Sequence, residues 1–359
     1  MTIELLRLKN FRNFSFSELE FSPGLNIIHG SNAAGKTSLL EAIHFLARTK
    51  SFRTHKTREL IKKNSDSFTL FSKIAGRDDL PVPLGVGYKD NKVTVRLDSQ
   101  KIHRLSQIAH VLPIQTLSGN LHQIIEQGPI FRRQFIDWSL FHVKHDYIQI
   151  WKHYRKALKQ RNASLRTGST DKELSYWENV LVVHGKALSD QRVSYLNHIQ
   201  KYFINIIKSL LSEEMICTLQ YKSGIPKATN HQDILIKQRS NDRLKGYTSY
   251  GPHRADIAFM GAEGTNIFPT LSRGQQKLLV ISLQLAHTRY AASIIETQPH
   301  FLLDDLGAEL DIEHQNKVLK EVVKTNAQTF ITSLDCRCYQ MAEETCVFHV
   351  EHGQINKVL

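Results

Sequence analysis

Apolar and polar residues alternate near the N terminus, where they predict two strands followed by a helix. Ile3, Leu5 and Leu8 indicate a first strand, and the apolar run 25–28 indicates a second, buried strand. A helix is predicted from Gly35 onward. Its apolar side carries Leu39, Leu40, Ile43, Phe45 and Leu46. The N-terminal region is therefore expected to be an α/β unit.

The middle of the chain changes from a strand pattern to a helical one. Residues 68–115 have the pattern of short strands separated by turns, and the spacing becomes helical from about residue 124. Two apolar stripes predict two long helices. The first stripe comprises Trp151, Tyr154, Leu158 and Leu165, and the second comprises Trp177, Leu181, Leu188, Ile199, Phe203, Ile206 and Leu210. The polar break at 167–172 between them predicts an antiparallel helical hairpin.

The α/β pattern returns in the last third of the chain. After a turn-rich stretch at 222–254, a helix is predicted around 278–286, followed by strands at 301–303 and 329–331. We therefore predict an α/β head that is interrupted by a helical lobe. The predicted segments are 1–120 for the first part of the head, 121–250 for the helical lobe and 251–359 for the second part of the head.

Composition narrows the class of protein. The chain has 359 residues, of which 41% are hydrophobic and 23% are charged, as is typical of a globular protein. No apolar run reaches the roughly 18 residues that a membrane span needs, and the first residues lack the apolar segment of a signal peptide. The four cysteines, Cys217, Cys336, Cys338 and Cys346, do not make a disulfide framework in a chain of this size. We expect a cytoplasmic protein.

The charge balance indicates a polyanionic partner. Lys and Arg number 47 against 34 Asp and Glu, which gives a formal net charge of +13, a bias typical of proteins that bind nucleic acid. The basic tract at 48–63 is interpreted either as part of a DNA-binding surface or as a face kept in solution by its charge. Its candidate DNA contacts are Lys56, Arg58, Lys62 and Lys63.

Residues 30–37 match the phosphate-binding motif G-x-x-x-x-G-K-[ST] between a predicted strand and a predicted helix. The motif residues are Gly30, Ser31, Asn32, Ala33, Ala34, Gly35, Lys36 and Thr37. The glycines let the loop curl so that its N–H groups surround phosphate oxygens, and the helix dipole adds to this. Lys36 is expected to reach the β- and γ-phosphates, and the Thr37 hydroxyl is expected to ligate Mg²⁺. The motif predicts ATP and Mg²⁺ as ligands.

Such a loop requires an acidic residue at the end of a downstream strand. Asp304 and Asp305 follow the apolar run 301–303 and supply it. Asp304 is predicted to hold the Mg²⁺, and Asp305 is predicted to orient or activate the attacking water. Alone, three apolar residues followed by two acids would be an ordinary strand end, but together with the phosphate loop they favour a nucleotide hydrolase.

The string 271–276 opens the helix predicted around 278–286 and resembles the signature of ABC-type ATPases. The residues expected to act there are Ser272, Arg273, Gly274 and Gln275. With the helix N-terminus they would form a second anion-binding cup. In that family the cup closes on the nucleotide of a partner head, so the resemblance implies an ATP-dependent homodimer. The fold class is then an ABC-type P-loop ATPase head, with a mixed sheet and flanking helices, interrupted by a helical lobe.

Two further strings resemble other parts of the ABC family's motif set. Gln115, after a strand predicted at 111–114, suits the Q-loop that senses the metal and the γ-phosphate, or is a polar residue at a strand end. Residues 309–311 resemble the D-loop, where chains meet across the dimer.

Two departures from the family pattern concern hydrolysis. Thr332 and Ser333 follow the strand at 329–331, where the family has its switch histidine. The second acid is Asp305, whereas most of the family has glutamate at this position. A shorter carboxylate without a switch imidazole favours slow turnover, as in a switch.

Several strings resemble the RecF family of recombination mediators, in the SMC-like branch of ABC ATPases. They are 51–53, 128–129 leading to 132–138, 160–162, 251–254, 271–276 and 303–311, in the family's order along the chain, while 9–14 resembles the SMC-like branch in general. The resemblance implies a bacterial cytoplasmic protein that binds duplex DNA near single-strand gaps, dimerises with ATP and is a weak, DNA-stimulated ATPase. It also implies action with RecO and RecR to help load RecA, in repair, replication and the SOS response.

Two other classes of protein share these motifs. A transporter ATPase would need neither the net charge of +13 nor the helical lobe. An SMC-like structural DNA organiser would need longer coiled-coil arms than the insertion between Lys36 and Leu271 provides. Three roles stay open: Arg12 lies near the adenine or in a strand-edge salt bridge, and His253 and Arg254 contact DNA or nucleotide or fix the turn before the signature helix.

Overall fold

A computed structural model of the chain describes residues 1–76, 80–102, 106–117, 128–144, 146–294, 299–334 and 345–359. The chain divides into two compact units, Met1–Leu121 with Ile295–Leu359, and His122–Ile294. Cys217 and Cys346 are buried free thiols. Cys336, Cys338 and the predicted segment boundary at 120–121 lie outside the described residues.

Six strands of the first unit form an antiparallel sheet. They are β1 (Ile3–Phe11), β2 (Phe14–Glu20), β4 (Ser67–Ile74), β5 (Val82–Lys89), β6 (Lys92–Leu97) and β7 (Gln100–Lys101). Their order across the sheet is β2-β1-β4-β5-β6-β7. Along β4, Phe68 and Leu70 are buried while Thr69 and Lys73 are exposed, so one face of the sheet packs on the core and the other is open to solvent.

A second sheet of this unit is mostly parallel. Its strands are β3 (Leu25–His29), β8 (Ile114–Leu117), β11 (His300–Leu303), β12 (Thr329–Ser333), β13 (Thr345–Glu351) and β14 (Gln354–Lys357). The order is β14-β13-β3-β12-β11-β8, with β14 antiparallel to β13 and the other neighbours parallel. Within the described residues, the helices of this unit are α1 (Lys36–Arg48), α2 (Ser106–Val111), α9 (Leu306–Glu309) and α10 (Ile312–Val323).

The apolar core of the first unit is formed by both sheets and α1. All five apolar residues predicted on one side of α1 are fully buried, which confirms that prediction. Phe21, just after β2, makes edge-to-face contacts with Phe330 and Phe348, at ring-centroid distances of 4.9 and 5.3 Å. The antiparallel and parallel sheets therefore share one core.

The second unit is mainly helical. It contains α3 (Pro129–Val143), α4 (Tyr147–Thr167), α5 (Asp171–Leu210), α6 (His231–Lys237), α7 (Arg239–Lys245), α8 (Arg273–Ala292) and an antiparallel pair of strands, β9 (Thr218–Lys222) and β10 (Asp256–Met260). Gly168 ends α4 in a left-handed conformation, and Thr170 caps α5 by accepting the Glu173 N–H. The short connection confirms the predicted hairpin, whose longer helix has 40 residues and a length of about 60 Å.

Three expectations from the sequence differ from the structure. The strand predicted at 111–114 is wrong, because α2 runs to Val111, and β8 begins at Ile114, after Pro113, which disfavours helix in the residue before it. The stretch 222–254 contains two short helices, of which α6 is capped by Asn230. Residues 251–294 group with the helical unit, since β10 pairs with β9 and α8 packs on α5.

Within the described ranges, no helix is both long and apolar enough to span a membrane.

Candidate functional site

Three neighbouring parallel strands bring the predicted phosphate loop and the predicted acids to one edge of the sheet. The loop 30–35 follows β3, Thr332 lies in β12, and Asp304 follows β11. The carboxyl ends of parallel strands share an edge, and open α/β sheets bind ligands there. Thr37 and Asp304, which are 267 positions apart in the sequence, therefore lie within hydrogen-bond distance.

The loop has a conformation that requires glycine at two positions. Gly30 has a φ of 149° and Gly35 a φ of 123°. A Cβ at Gly30 would lie 2.2 Å from the Val350 carbonyl oxygen, and a Cβ at Gly35 would lie 2.5 Å from Asn13 Nδ2. Asn13 Nδ2 in turn donates to the Ala34 carbonyl oxygen at 2.9 Å. Both glycines are therefore needed for the curl that turns a phosphate loop's N–H groups inward.

Lys36 lies at the start of α1 with its ammonium group over the loop. Its Nζ donates to the carbonyl oxygens of Gly30 and Ser31, at 2.7 and 2.9 Å. Burial lowers the pKa of the Lys36 ammonium, while the charges of Asp305 and Asp304 act in the opposite direction. The ammonium thus has neutral oxygen acceptors in hydrogen-bond contact and two carboxylates nearby.

A hydroxyl of β12 links the two acids. Asp304 Oδ1 accepts hydrogen bonds from Thr37 Oγ1 at 3.0 Å and from Thr332 Oγ1 at 2.9 Å. Thr332 Oγ1 also accepts the Asp305 N–H at 2.8 Å. Burial raises the pKa of the Asp304 carboxyl, and the charge of Asp305 adds to this, whereas the hydrogen bonds from Thr332 and Thr37 lower it. Asp304 therefore accepts a proton more readily than an exposed aspartate.

Asp305 differs from Asp304 in exposure and backbone. It is exposed, and its φ of 52° lies in the left-handed region, which is uncommon for residues other than glycine. The bond from its N–H to Thr332 holds this conformation. The sequence prediction ended the strand before Thr332, but Thr332 lies within β12 and is buried. Its role in orienting both acids was missed, because a strand pattern does not reveal which hydroxyl reaches a neighbouring strand end.

These residues border a cleft of about 630 Å³, a volume typical of small-molecule sites. Its lining includes Arg12, Asn13, Asn32, Lys36, Thr37, Arg53, Lys62, Lys63, Asp305 and Thr332. Two of the residues predicted to contact DNA, Lys62 and Lys63, thus lie in the same cleft as the loop. The other two, Lys56 and Arg58, are exposed at the short helix Thr57–Leu60.

A buried carboxylate on α1 organises one wall of this cleft. Glu41 is fully buried and accepts from Arg12 Nε at 2.8 Å and Arg12 Nη2 at 2.7 Å. The Ser51 hydroxyl also donates to Glu41, and Arg53 lies at 3.5 Å. Arg12 therefore makes the salt bridge that was one of its two expected roles, and it also lines the cleft. The string 51–53 is held in place by Glu41, a residue that the sequence analysis did not single out.

Gln115 does not lie at a strand end. It is the second residue of β8, pairs with Phe301 of β11 and is 3% exposed. Its Oε1 atom is buried without a hydrogen-bond partner among the residues that the structure describes. It is not among the described residues that line the cleft. Its placement at a strand end was wrong, and its Q-loop role stays a prediction.

The signature string lies in the second unit, at an exposed helix start. Ser272 caps α8 by accepting the Gln275 N–H at 3.3 Å, and Gln275 Oε1 accepts the Ser272 N–H at 3.0 Å. This capping box leaves Ser272, Arg273, Gly274 and Gln275 exposed. A Cβ at Gly274 would meet no atom within 4 Å. In the D-loop string, Asp311 caps α10 by accepting the His314 N–H at 2.9 Å.

His253 and Arg254, which lie upstream of the signature string in the sequence, make structural contacts in the second unit. His253 Nδ1 lies 2.7 Å from the Tyr154 hydroxyl, and its Nε2 lies 2.9 Å from the Thr248 carbonyl oxygen. Burial lowers the pKa of His253 to about 4. The Arg254 guanidinium lies over the Tyr247 ring, 5.2 Å from its centroid. These contacts favour the turn-fixing role over a ligand-binding one.

Comparison with known proteins agrees with this geometry. The family described as "RecF/RecN/SMC N terminal domain" matches residues 2–357. The DNA replication and repair protein RecF of Shewanella sp. (strain W3-18-1) is 34% identical over 100% of both chains. The chain belongs to the RecF family. The protein of the same name from Chromohalobacter salexigens is 35% identical over 99% of both chains.

Solved structures show the same fold as this RecF-family chain. The structure of the recombination mediator protein RecF-ATP in the RecFOR pathway has a TM-score of 0.82 at 25% identity, covering 100% of this chain and 98% of that chain. A SmcHead bound to the C-winged helix domain of ScpA has a TM-score of 0.63 at 17% identity, covering 100% and 98%. The fold is therefore an ATPase head of the RecF and SMC kind with a helical lobe, as predicted.

Proposed function

We propose that this RecF-family chain is an ATP-dependent DNA-binding switch in recombinational DNA repair and replication. The observation that carries the proposal is the cluster of Lys36, Thr37, Asp305 and Thr332 on the cleft wall, with Asp304 hydrogen-bonded to Thr37 and Thr332. The relatives' names support the setting, since they are DNA replication and repair proteins and one solved relative is described with ATP.

The loop and Lys36 fit the phosphates of ATP. Gly30 and Gly35 keep side chains away from the curled backbone, so that phosphate oxygens can approach its N–H groups. A phosphate would offer the Lys36 ammonium a charged acceptor in place of the neutral Gly30 and Ser31 carbonyls. Hydrogen bonds to charged groups are worth about 1.5–3 kcal/mol, so Lys36 should favour the bound nucleotide.

Thr37 and Asp304 fit a magnesium ion. Their oxygens lie 3.0 Å apart at the cleft edge, and hydroxyl and carboxylate oxygens are donors that Mg²⁺ prefers. Bound there with ATP, Mg²⁺ would neutralise charge that develops on the transferred phosphoryl group. Asp304 must be ionised to ligate the metal, and its raised pKa makes the site sensitive to acid.

Asp305 is the residue that we assign to hydrolysis. Its carboxylate is exposed and borders the cleft, where it can orient the attacking water. Thr332 holds the Asp305 backbone and the Asp304 carboxylate through one hydroxyl group. An aspartate reaches less far than the glutamate that most ABC ATPases have, so turnover should be slow and ATP binding should act as the switch.

ATP-dependent dimerisation is assigned to the exposed start of α8. Ser272 and Gly274 are uncovered, and the first N–H groups of the 20-residue helix favour an anion. We propose that this start caps the nucleotide that Lys36 of a second copy holds. Duplex DNA near single-strand gaps is the proposed macromolecular partner, in the bacterial cytoplasm. RecR acting with RecO, the loading of RecA, and the SOS response complete the proposed setting.

Sedimentation with and without ATP and duplex DNA tests this function. Wild type is expected to dimerise with ATP, while Ser272→Arg fills the cup with a bulky cation and stays monomeric although it still binds ATP. Ser293→Arg is the matched control, because it makes the same change at the exposed opposite end of α8. A mixture of Ser272→Arg with Lys36→Ala can form one intact composite site and should recover part of the ATPase activity. ATP-dependent dimers of Ser272→Arg at wild-type level would contradict the proposal.

A further inference from the structure

The open face of the antiparallel sheet carries two rows of residues that the proposed nucleotide chemistry does not use. Directly paired residues of antiparallel strands project from the same face. The strand registers therefore align Arg7, Phe71, Gly85, Arg96 and Lys101 in one row, from β1 to β7. The next row contains Phe16, Lys9, Thr69, Gly87 and Thr94, from β2 to β6.

The middle of these rows is a shallow trough. Gly85 and Gly87 have no side chain, and together with Thr69, Phe71 and Thr94 they line a groove of about 410 Å³. A Cβ at Gly85 would meet no atom of a described residue within 4 Å, so the groove floor there is open backbone. A ligand can therefore approach the strands closely between the two sides of the trough.

Cations stand on both sides of this trough. Lys9 lies on β1 and Lys73 on the neighbouring strand β4, while Arg96 and Lys101 lie on β6 and β7. All four are exposed, and none forms an ion pair with a residue in the described part of the chain. Arg7 is paired with Glu18 at 2.5 Å, on the side of the edge strand β2. Glu18 is the carboxylate at the β2 end of the Arg7 row, and Glu20, opposite Leu5, lies on the same edge strand.

We propose that this face binds the phosphate backbone of duplex DNA; the inference rests on the DNA-binding role proposed above and gives it a surface. Neighbouring strands are about 4.8 Å apart, so Lys9 on β1 and Arg96 on β6 flank a trough about 14 Å wide. One sugar–phosphate strand can lie on the glycine floor while cations on both sides reach its phosphates. No side chain rises from Gly85 or Gly87 toward base edges, so binding should depend little on sequence.

Two features favour a duplex over a single strand. Unpaired bases are bound mainly by stacking on exposed aromatic rings. The Phe71 ring is covered by the Arg7 guanidinium, 5.6 Å from its centroid, and Phe16 lies on the edge strand outside the trough. The trough thus offers charge and backbone rather than a row of stacking surfaces.

The basic tract at 48–63 is the competing surface. Within it, Arg53, Lys62 and Lys63 line the nucleotide cleft. Lys62 also donates to the Ser15 hydroxyl. Lys56 is 82% exposed and lies 3.9 Å from Glu59, which offsets part of its charge. Part of the charge of the tract therefore belongs to the nucleotide cleft, whereas the cations of the sheet face flank one open trough.

Substitutions of Gly85 test the face without removing any existing contact. Gly85 does not have a positive φ and faces open space, so side chains of either charge fit there. Gly85→Glu places a carboxylate in the trough, Gly85→Lys adds an ammonium, and Gly85→Gln is the neutral control of similar size. The readout is the affinity for an ungapped duplex of arbitrary sequence, measured by fluorescence anisotropy over a series of salt concentrations. Melting temperatures of all three variants establish that they fold.

Opposite effects of the two charges are the expected result. Each phosphate contact contributes about 0.9 to the slope of log affinity against log salt concentration. This corresponds to an about five- to tenfold change in affinity at ~0.1 M salt. Gly85→Glu should lose about that factor relative to Gly85→Gln, and Gly85→Lys should gain it. Equal affinities of the two charged variants, or a charge effect confined to single-stranded DNA, would overturn the assignment.

A second comparison separates the surface from the proposed function. Lys9→Gln combined with Arg96→Gln should lower the salt slope for duplex binding by about two. Lys56→Gln combined with Arg58→Gln is the matched control in the basic tract and should leave the slope unchanged. The reverse pattern would move the DNA surface to that tract and overturn the sheet-face proposal. If wild type itself shows no salt-dependent duplex binding, the DNA-binding function proposed above fails as well.

Discussion

Lys36 in the first unit and Arg161 in the second are both cations within motifs that the sequence analysis singled out, but their surroundings differ. Arg161 is fully buried, and its five N–H groups donate to Glu178, Asp242, Thr248 and the Leu235 carbonyl at 2.8–3.2 Å. Lys36 borders an open cleft, and its ammonium group donates hydrogen bonds to two neutral carbonyl oxygens.

The difference distinguishes residues that stabilise the fold of this molecule from residues that bind a ligand. The charges around Arg161 are matched, since Glu178 also accepts from Arg239 at 2.6 Å. A complete buried network has no capacity left for a ligand. Around Lys36, by contrast, the pKa values of Lys36 and Asp304 are shifted by burial. Shifted groups beside a cleft mark a site that a ligand can complete.

The largest effect is expected from breaking the buried network. Arg161→Ala leaves Asp242 buried without its cation and removes one of the two cations that pair with Glu178, which should lower the free energy of unfolding by about 3–5 kcal/mol. Arg155→Ala on the same helix is the matched control, because Arg155 is exposed and contacts the Trp151 ring at 5.0 Å. It should cost less than about 1 kcal/mol. Denaturant unfolding measures both, and equal losses would contradict a holding role specific to Arg161.

Removing Lys36 should affect ligand binding instead of folding. Lys36→Ala loses a charge-assisted contact to phosphate, worth about 1.5–3 kcal/mol, so ATP affinity should fall at least about tenfold. The fold should be kept, since only bonds to two neutral carbonyls are lost. Lys56→Ala serves as the control and should bind ATP like wild type. Titration calorimetry with ATP checks this, and wild-type affinity in Lys36→Ala would rule out the phosphate-loop assignment.

Thr332 should act as a positioning residue, which neither holds the fold together as Arg161 does nor contacts the phosphate as Lys36 does. Thr332→Val leaves the Asp305 N–H without its acceptor and should lower ATP hydrolysis about tenfold, whereas Thr332→Ser keeps the hydroxyl and restores most of the rate. Losing the hydrogen bond that lowers the Asp304 pKa should also shift the acidic limb of the pH–rate profile to higher pH. An unshifted profile in Thr332→Val would mean that Thr332 has only a packing role.

The smallest effect concerns the stability of the ligand-free cleft. The Asp304 pKa is raised in the fold, so its contribution to the free energy of unfolding is full at low pH and is lost as the pH rises through that pKa. Asp304→Asn has no such loss. Its melting temperature should exceed that of wild type near neutral pH, and the difference should shrink as the pH falls and vanish only below the ordinary aspartate pKa of about 3.9. A gap that does not change with pH would contradict the raised pKa.

The hairpin, the phosphate loop and the paired acids could be predicted from the sequence because each depends on neighbours along the chain. Helical spacing fixed the stripes of α4 and α5, and the loop needs its own glycines together with the lysine and threonine that follow them. Such patterns depend on residues only a few positions apart, so they can be recognised without knowing which other helices and strands pack against them. The resemblance of ordered strings to the RecF family extended this to the whole chain, and the family comparison confirmed it.

The tertiary structure decided which of these residues meet. Thr332 reaches Asp304 because β12 pairs with β11, and Lys62 reaches the cleft because its backbone bonds to Asn10 at the end of β1. The cations of the sheet face that form no ion pair with a described residue share one side because strand register aligns four strands, β1, β4, β6 and β7, through their neighbours. Register and strand order depend on long-range pairing, which local patterns of polar and apolar residues do not encode.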